Sequence, residues 1–379
     1  MNKKKLLIVS ATNQDSDPRV IRQINFLKDD FEVYCCGVKN SIVSKDRFIR
    51  METFGNTIFS KIITGILKLL RLYRFAENYM LDTRFNINSG KKFPVFDLII
   101  ANDFDTLALT FRTFKPEKVI ADFHEYAPSE FEDRFYWKYV NKRFVINQCR
   151  KYLPELDAAT TVCESIALEF ENEFGILPAV ITNAPDFHDL KPLPVKEKIR
   201  IIHHGAAISS RKIELMAETV SLLDERFTLD LMLIPNEKDY YEKLKKSVEG
   251  NNRINIIEPV GFSQIIPFCN QYDIGLFLLP PVNLNYRYAL PNKFFEYIQS
   301  RLAVITGPSP EMTAYIDRYG LGIHSETFSP VEVAGKINKL SNDDIMKYKI
   351  NSDKSAKKLS SEENRKILLE LINKTINKN

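Results

Sequence analysis

Along the chain, short runs of continuous apolar residues alternate with longer stretches in which apolar positions recur every three to four residues. The runs lie at 6–10, 31–36, 96–101, 119–122 and 159–163, then at 199–203, 229–234, 254–257, 274–279 and 303–306. Runs of this kind, without polar alternation, suit strands of a parallel sheet covered on both faces. Their alternation with helical patterns predicts an α/β architecture with right-handed crossovers. Residues 17–28 carry a well-marked helix. Asp17 can cap it, Pro18 suits its first position, and Val20, Ile21, Ile24 and Leu27 form one apolar face. Residues 186–198 break the pattern with two prolines and several charges, after which strand and helix repeat. The expected organisation is an N-terminal domain over 1–190 and a C-terminal domain over 191–355. A C-terminal helical segment over 356–379 has the N-terminal domain as its expected packing partner.

Composition narrows the class. A chain of 379 residues is long enough for two domains with separate cores, and 44% hydrophobic with 27% charged residues is globular. A net charge of +4 gives no argument for a nucleic-acid partner. The five cysteines are odd in number and form no CxxC pair, which fits a reduced, cytoplasmic protein better than a disulfide framework or a zinc site. The basic start leads into an apolar run that meets polar residues at Thr12, too short for a secretory signal, so a buried first strand is expected. No stretch approaches the ~18 apolar residues of a membrane span.

Candidate chemistry concentrates in a few segments. Residues 289–300 read ALPNKFFEYIQS. Pro291 can open a helix whose free N–H groups, with Asn292 and Lys293 beside them, form an anion site suited to a diphosphate. Glu296 further along can accept two hydrogen bonds from a ribose diol; the alternative is an amphipathic helix with a surface glutamate. Residues 203–212 read HHGAAISSRK, a strand ending at Gly205 and a helix expected to start near Ser210. Arg211 and Lys212 would oppose that helix's dipole, which favours an anionic ligand; the alternative is two solvated charges. One of His203 and His204 is expected in the core. Residues 119–126, VIADFHEY, place His124 and Glu125 just past a strand's carboxyl end, the ligand edge of a parallel sheet. Asp103 and Asp105 cluster after another strand, with no third metal ligand at a suitable spacing. Residues 10–17 lack the glycines of a dinucleotide fingerprint.

Taken together and in order, DPRV at 17–20, NDFDTL at 102–107, DFHEY at 122–126, TNAP at 182–185, LPNKFFEY at 290–297 and EMTAYIDRYGLG at 311–322 resemble glycosyltransferase family 4. The resemblance spans roughly residues 5–340. It implies the GT-B fold: α/β, two Rossmann-like domains with parallel sheets facing an interdomain cleft. The implied activity is retaining transfer of a hexosyl unit from a nucleotide sugar, without an obligatory metal or other cofactor. The implied acceptor is a saccharide or a lipid-linked saccharide, in bacterial surface polysaccharide synthesis. By residue match, Glu296 holds the donor ribose, Arg211 or Lys212 the diphosphate, and His124 acts near the transferred sugar. Gly205, Pro291, Asn292, Lys293 and Tyr288 fall on the donor side, and Asp17, Arg19 and Glu125 on the acceptor side. Two positions depart from the family. Tyr288 stands eight places before Glu296, where a second glutamate is common, and Ala206 follows the loop glycine, where an arginine is common. These departures keep two other functions in view, a GT-B sugar-nucleotide epimerase and a non-catalytic nucleotide-sugar-binding partner.

Residues 59–75 are apolar, basic and free of acids. They fit either a core-facing helix with a solvated basic side or a helix resting on an anionic lipid surface. A second aromatic and basic stretch at 134–143 tips the expectation toward peripheral contact with an anionic membrane at the inner face of the plasma membrane.

Overall fold

The computed structural model describes residues 3–55, 57–87 and 93–378. The chain divides into two compact units. The first comprises Met1–Thr182 with Arg365–Asn379, and the second Asn183–Asn364. The division thus falls earlier than 190, ahead of the proline-bearing stretch.

In the first unit the strands are β1 (Lys5–Val9), β2 (Glu32–Gly37), β3 (Phe48–Thr53), β4 (Phe85–Ile87), β5 (Leu98–Asn102), β6 (Val119–Phe123), β7 (Ala158–Thr161) and β8 (Ala179–Val180). They form one sheet in the order β4-β3-β2-β1-β5-β6-β7-β8, parallel except for the β3/β4 pair. The second unit holds β9 (Ile199–Ala206), β10 (Phe227–Ile234), β11 (Ile254–Ile257), β12 (Ile274–Phe277), β13 (Ala303–Thr306) and β14 (Gly322–His324). Its sheet, β11-β10-β9-β12-β13-β14, is wholly parallel. All the apolar runs became strands, and all but β11, at the edge of the second sheet, are central, because burial on both faces rewards continuous hydrophobicity. β3, whose six residues mix polar with apolar, and the short strands β4, β8 and β14 carry too little continuous apolar signal to stand out in the sequence.

Each sheet winds outward in both directions from one pair, β1/β5 in the first unit and β9/β12 in the second. The crossovers diverge there and leave a crevice at the strands' carboxyl ends. The helix Pro18–Leu27 follows β1, and Asp17 caps it by accepting from the Arg19 and Val20 amides. The helix Ser361–Ile376 lies largely within the first unit, where Leu368 and Ile372 join the core of Leu6, Ile8, Ile24 and Leu98.

Two local expectations change. The helix expected from Ser210 begins at Glu214, because a short 3-10 turn over Ser209–Arg211 ends in Lys212 with φ of 51°. The single helix expected over 59–75 is two, Ile58–Leu69 and Tyr73–Arg84, separated where Arg71 takes φ of 58°. Most of its apolar side chains are exposed, among them Ile58, Phe59, Ile62, Ile66, Leu69 and Phe75.

Candidate functional site

In the first unit the carboxyl ends of β1, β5 and β6 surround a cavity of about 390 Å³. Ala11, Thr12, Asn102, Asp103, His124 and Glu130 are among its walls. Beneath it lies a buried ion pair. Arg19, on the first helical turn after β1, reaches across the switch point and bonds the Asp122 carboxylate at the end of β6 through both Nε and Nη2. Gln23 and the Thr160 hydroxyl donate to the same carboxylate. Burial opposes ionisation of Asp122, but the Arg19 guanidinium outweighs it and holds the carboxyl far below the usual range. A buried pair satisfied on this scale keeps its geometry, and truncating one partner would strand a charge. Arg19 is therefore committed to Asp122, while Asp17 caps its helix and accepts from the Thr12 hydroxyl at 2.9 Å. Neither lines the cavity itself; they hold in place the elements around it.

His124 does line the cavity. Its Nδ1 lies 3.1 Å from Asp103 Oδ1, and its Nε2 lies 3.6 Å from Asp122 Oδ2, too long for a hydrogen bond. Burial and the Arg19 charge push the imidazole toward neutrality. The hydrogen bond to Asp103 and the Asp122 carboxylate overcome both and bring it up to about 9. Asp103 holds its place at a conformational cost. Its φ of 62° and ψ of 157° belong to a region that essentially only glycine occupies, at about 1–3 kcal/mol. Its amide donates to Asp122 O at 2.9 Å, which fixes that backbone. Glu130 is raised to about 8 by burial and by the neighbouring Glu125, and Glu125 is also shifted upward by the surrounding protein and by Asp103. One imidazolium and two carboxyls that can carry protons near neutrality thus share one cavity. Among the described residues no group of three or more His, Cys, Asp and Glu side chains is placed to hold a metal ion.

In the second unit, the helix Asn292–Gln299 is buried from Lys293 to its end. It packs on β12 because Gly275 has no side chain; a Cβ there would lie 2.3 Å from the Tyr297 ring. The alternative of an amphipathic helix with a surface glutamate therefore does not hold, since Glu296 is itself buried, 3.4 Å from His204 Nε2. Lys293 is only 8% exposed and its ammonium has no hydrogen-bond partner. It sits over the Phe277 ring, 4.4 Å from the centroid, at the end of β12. It also faces the end of β9, where a Cβ on Gly205 would lie 2.9 Å from Nζ and 3.7 Å from Arg211 Nη1; Gly205 has φ of 135°. The ammonium thus occupies the β9/β12 switch point. Burial and Arg211 bring it down to about 7, against the pull of Glu296. A buried cation without a partner is costly and asks for an anion.

Arg211 joins this group, with Nη1 3.3 Å from Ala206 O, whereas Lys212 is half exposed and lies 3.9 Å from Glu214. Of the two cations left open by the sequence, Arg211 lies at the crevice. Both His203 and His204 are buried and held neutral by burial and the Lys293 charge, so both belong to the core. Asn292 Oδ1 is buried without a donor, and Tyr288 is half-buried after the short helix Leu284–Arg287. Thr306, at the end of β13, and Ser309, before the next helix, carry buried hydroxyls with no partner. The sequence reading missed these two, although Ser309-Pro310 after a strand repeats the Asp17-Pro18 signature. It also missed Asp103 and Asp122 as partners of His124.

No family model matches the chain, and no curated protein matches it. Solved structures do. HepE from Anabaena in complex with UDP-glucose is 13% identical with a TM-score of 0.69, covering 97% of this chain and 99% of that one. A glycosyltransferase from Rickettsia africae is 16% identical over 100% of both chains, with a TM-score of 0.67. The Escherichia coli trehalose-6-phosphate protein bound with UDP-2-fluoro glucose is 10% identical over 97% and 98%, with a TM-score of 0.66. The chain has the GT-B fold. In this GT-B chain the two crevices described above lie at the switch points of its two sheets.

Two predictions test the geometry. The His124 imidazole should titrate near 9 by NMR, and Asp103→Asn should bring it down toward 6.5; an ordinary midpoint in the wild type would refute the pairing. Because the folded midpoint is raised, the stability that His124 contributes is full below about 6.5 and is lost as pH rises through 9. Second, an anion on Lys293 should raise its midpoint. Affinity for a nucleoside diphosphate should therefore fall as pH rises from 7.5 to 9, with proton uptake seen by calorimetry in two buffers. The bare nucleoside should show neither effect.

Proposed function

We propose that this chain is a retaining hexosyltransferase of the family-4 type. It moves a sugar from a nucleotide donor held by the second unit to a saccharide or lipid-linked saccharide held by the first. The observation that carries this reading is the unpartnered Lys293 ammonium at the β9/β12 switch point. With Arg211 and the free amides opening the 292–299 helix, it forms a preorganised cationic site for a diphosphate whose charge grows as the glycosidic bond breaks. We assign that neutralisation to side chains, with no obligatory metal. UDP and UDP-glucose in HepE are in keeping with it. Ala206 stands where the family resemblance expects an arginine, and Arg211, folded back onto the Ala206 carbonyl, supplies a guanidinium instead. Glu296 takes the ribose hydroxyls. His124, charged and fixed by Asp103, orients the reacting hydroxyl and the transferred sugar.

The proton-carrying carboxyls Glu125 and Glu130 favour one second reading, an epimerase that needs acid and base groups around the sugar. Incubating a nucleotide sugar without acceptor separates the two: a new epimer supports the second reading, and none leaves transfer.

Among the described residues no helix is long and apolar enough to cross a membrane. The exposed apolar face of the 58–69 helix, with exposed Lys61, Arg71 and Arg74 beside it, suits peripheral contact with an anionic bilayer at the cytoplasmic face, where surface polysaccharide synthesis would place the enzyme.

Glu296→Ala should weaken donor use by about ten- to a hundredfold, from the roughly 1.5–3 kcal/mol of a hydrogen bond to a charged group. His124→Ala should lower turnover by about 10²–10⁴ while nucleotide affinity stays near wild type. Unchanged donor affinity in the first variant, or near-normal turnover in the second, would reject the respective role. Replacing Lys61, Arg71 and Arg74 together by glutamine should weaken binding to phosphatidylglycerol vesicles roughly a hundredfold, at about 1 kcal/mol for each charge. Wild-type protein that ignores such vesicles at low salt would remove the membrane contact.

A further inference from the structure

Beside the His124 cavity the first unit has a larger groove, of about 810 Å³. One wall is the 58–69 helix. Ile58, Ile62, Ile66 and Leu69 follow the helical repeat along it, and all four are more than half exposed. The other wall is the aromatic segment around Tyr136 and Trp137, at the start of the five-residue π-helix Trp137–Asn141. Gly65 lets the walls approach: a Cβ there would stand 3.1 Å from the Tyr136 hydroxyl. An apolar surface of this extent left open to water marks a binding site.

The groove is not uniformly apolar. Lys68, 8% exposed, sets its ammonium into it, donating to Asn141 Oδ1 at 2.9 Å and lying 4.4 Å from the centre of the Phe144 ring. Arg84 lines the same groove 3.8 Å from Asp105, and its charge acts on Lys68. Two cations thus face one apolar space. Arg84, Phe104, Asp105 and Glu130 line both the groove and the His124 cavity, so the two adjoin. No acidic residue lies within 57–75.

We propose that the groove takes the hydrocarbon chain of a lipid phosphate, with its phosphate at Lys68 and Arg84 and the sugar it carries in the His124 cavity. The lipid site rests on the groove alone, while its role as acceptor rests on the transferase reading above. Three chemistries in sequence, apolar groove, paired cations and acid-rich cavity, match three parts of one amphiphile. The exposed stripe forms the groove's mouth, where a chain leaves the bilayer. Burial and Arg84 bring the Lys68 ammonium down to about 8, and a bound phosphate would restore its full charge.

Trp137 is the chain's one tryptophan and lines the groove, with Nε1 3.3 Å from Pro128 O, so its fluorescence reports occupancy. The full chain is titrated with dodecyl phosphate below its micelle-forming concentration, with dodecanol and with inorganic phosphate. The expected result is a saturable blue shift with dodecyl phosphate, at least tenfold weaker binding of dodecanol, and no shift with phosphate. Gly65→Leu, which puts a side chain between the groove's walls, should abolish the shift in the folded variant. Lys68→Gln should remove the preference for dodecyl phosphate over dodecanol; that comparison decides alone if Gly65→Leu does not fold. No shift in the wild type, a shift unaffected by Gly65→Leu, or equal binding of the two lipids would each overturn the proposal. So would a spectrum that shifts with protein concentration alone, which would assign the stripe to a second copy of the chain. A positive shift in protein that binds no nucleoside diphosphate would keep the groove and remove the transferase; the reverse would remove only the groove.

Discussion

A charge taken out of water inside a protein needs a counter-charge, and the two sheets of this chain meet that constraint differently. In the first unit Arg19 and Asp122 satisfy one another within a set of donors that includes Gln23 and Thr160. The pair is complete, and His124 beside it is held charged by Asp103 and the Asp122 carboxylate against the Arg19 charge. In the second unit the Lys293 ammonium is buried over Phe277 with no hydrogen-bond partner. That incomplete arrangement is tolerable only if an anion completes it, or if the lysine gives up its proton, and its midpoint near 7 leaves both open. One crevice is organised around a satisfied charge and the other around an unsatisfied one.

Both arrangements follow from doubly wound topology. Continuous parallel strands leave their carboxyl ends at one edge, and the reversal of winding opens a crevice where no crossover lies. Residues that follow strands then converge although they are far apart in sequence. Asp103 after β5 meets His124 after β6, and Lys293 on a later helix meets Gly205 at the end of β9. At the same edge Asp103 holds a strained φ of 62°, while Gly205 supplies a φ of 135° that a residue with a side chain rarely adopts. Strain of this kind persists only where the surrounding structure over-determines it, and here the Asp103 amide is tied to Asp122 O.

The apolar surface of the first unit obeys the opposite constraint. The 58–69 helix turns Ile58, Ile62 and Ile66 outward, whereas a helix serving only the core would bury them. Its partly polar inner face, with Ser60, Thr64 and Lys68, is the buried one. Such an inversion leaves apolar surface in water that burial would stabilise, while the buried clusters on the sheets are built from other residues.

The sequence by itself determined the architecture. Ten continuous apolar runs mark strands, all but the edge strand β11 central, Asp17-Pro18 marks a helix start, and the ordered motifs carry the resemblance to a GT-B family, because strand burial and capping are local demands written in local residues. It also pointed to the segments holding His124, Arg211 and Glu296. What it left open, tertiary structure decided. Whether Arg211 or Lys212 faces the crevice turned on one left-handed residue, Lys212, that aims the two side chains apart. That Arg19 is committed to Asp122, that Lys293 has no partner and that the basic apolar segment exposes its hydrophobic side are facts of contact between residues far apart in the chain, 103 positions for Arg19 and Asp122. Periodicity reports which face of an element is apolar, but only packing decides whether that face meets the core, and only the assembled sheet edge decides which buried charge is left without its opposite.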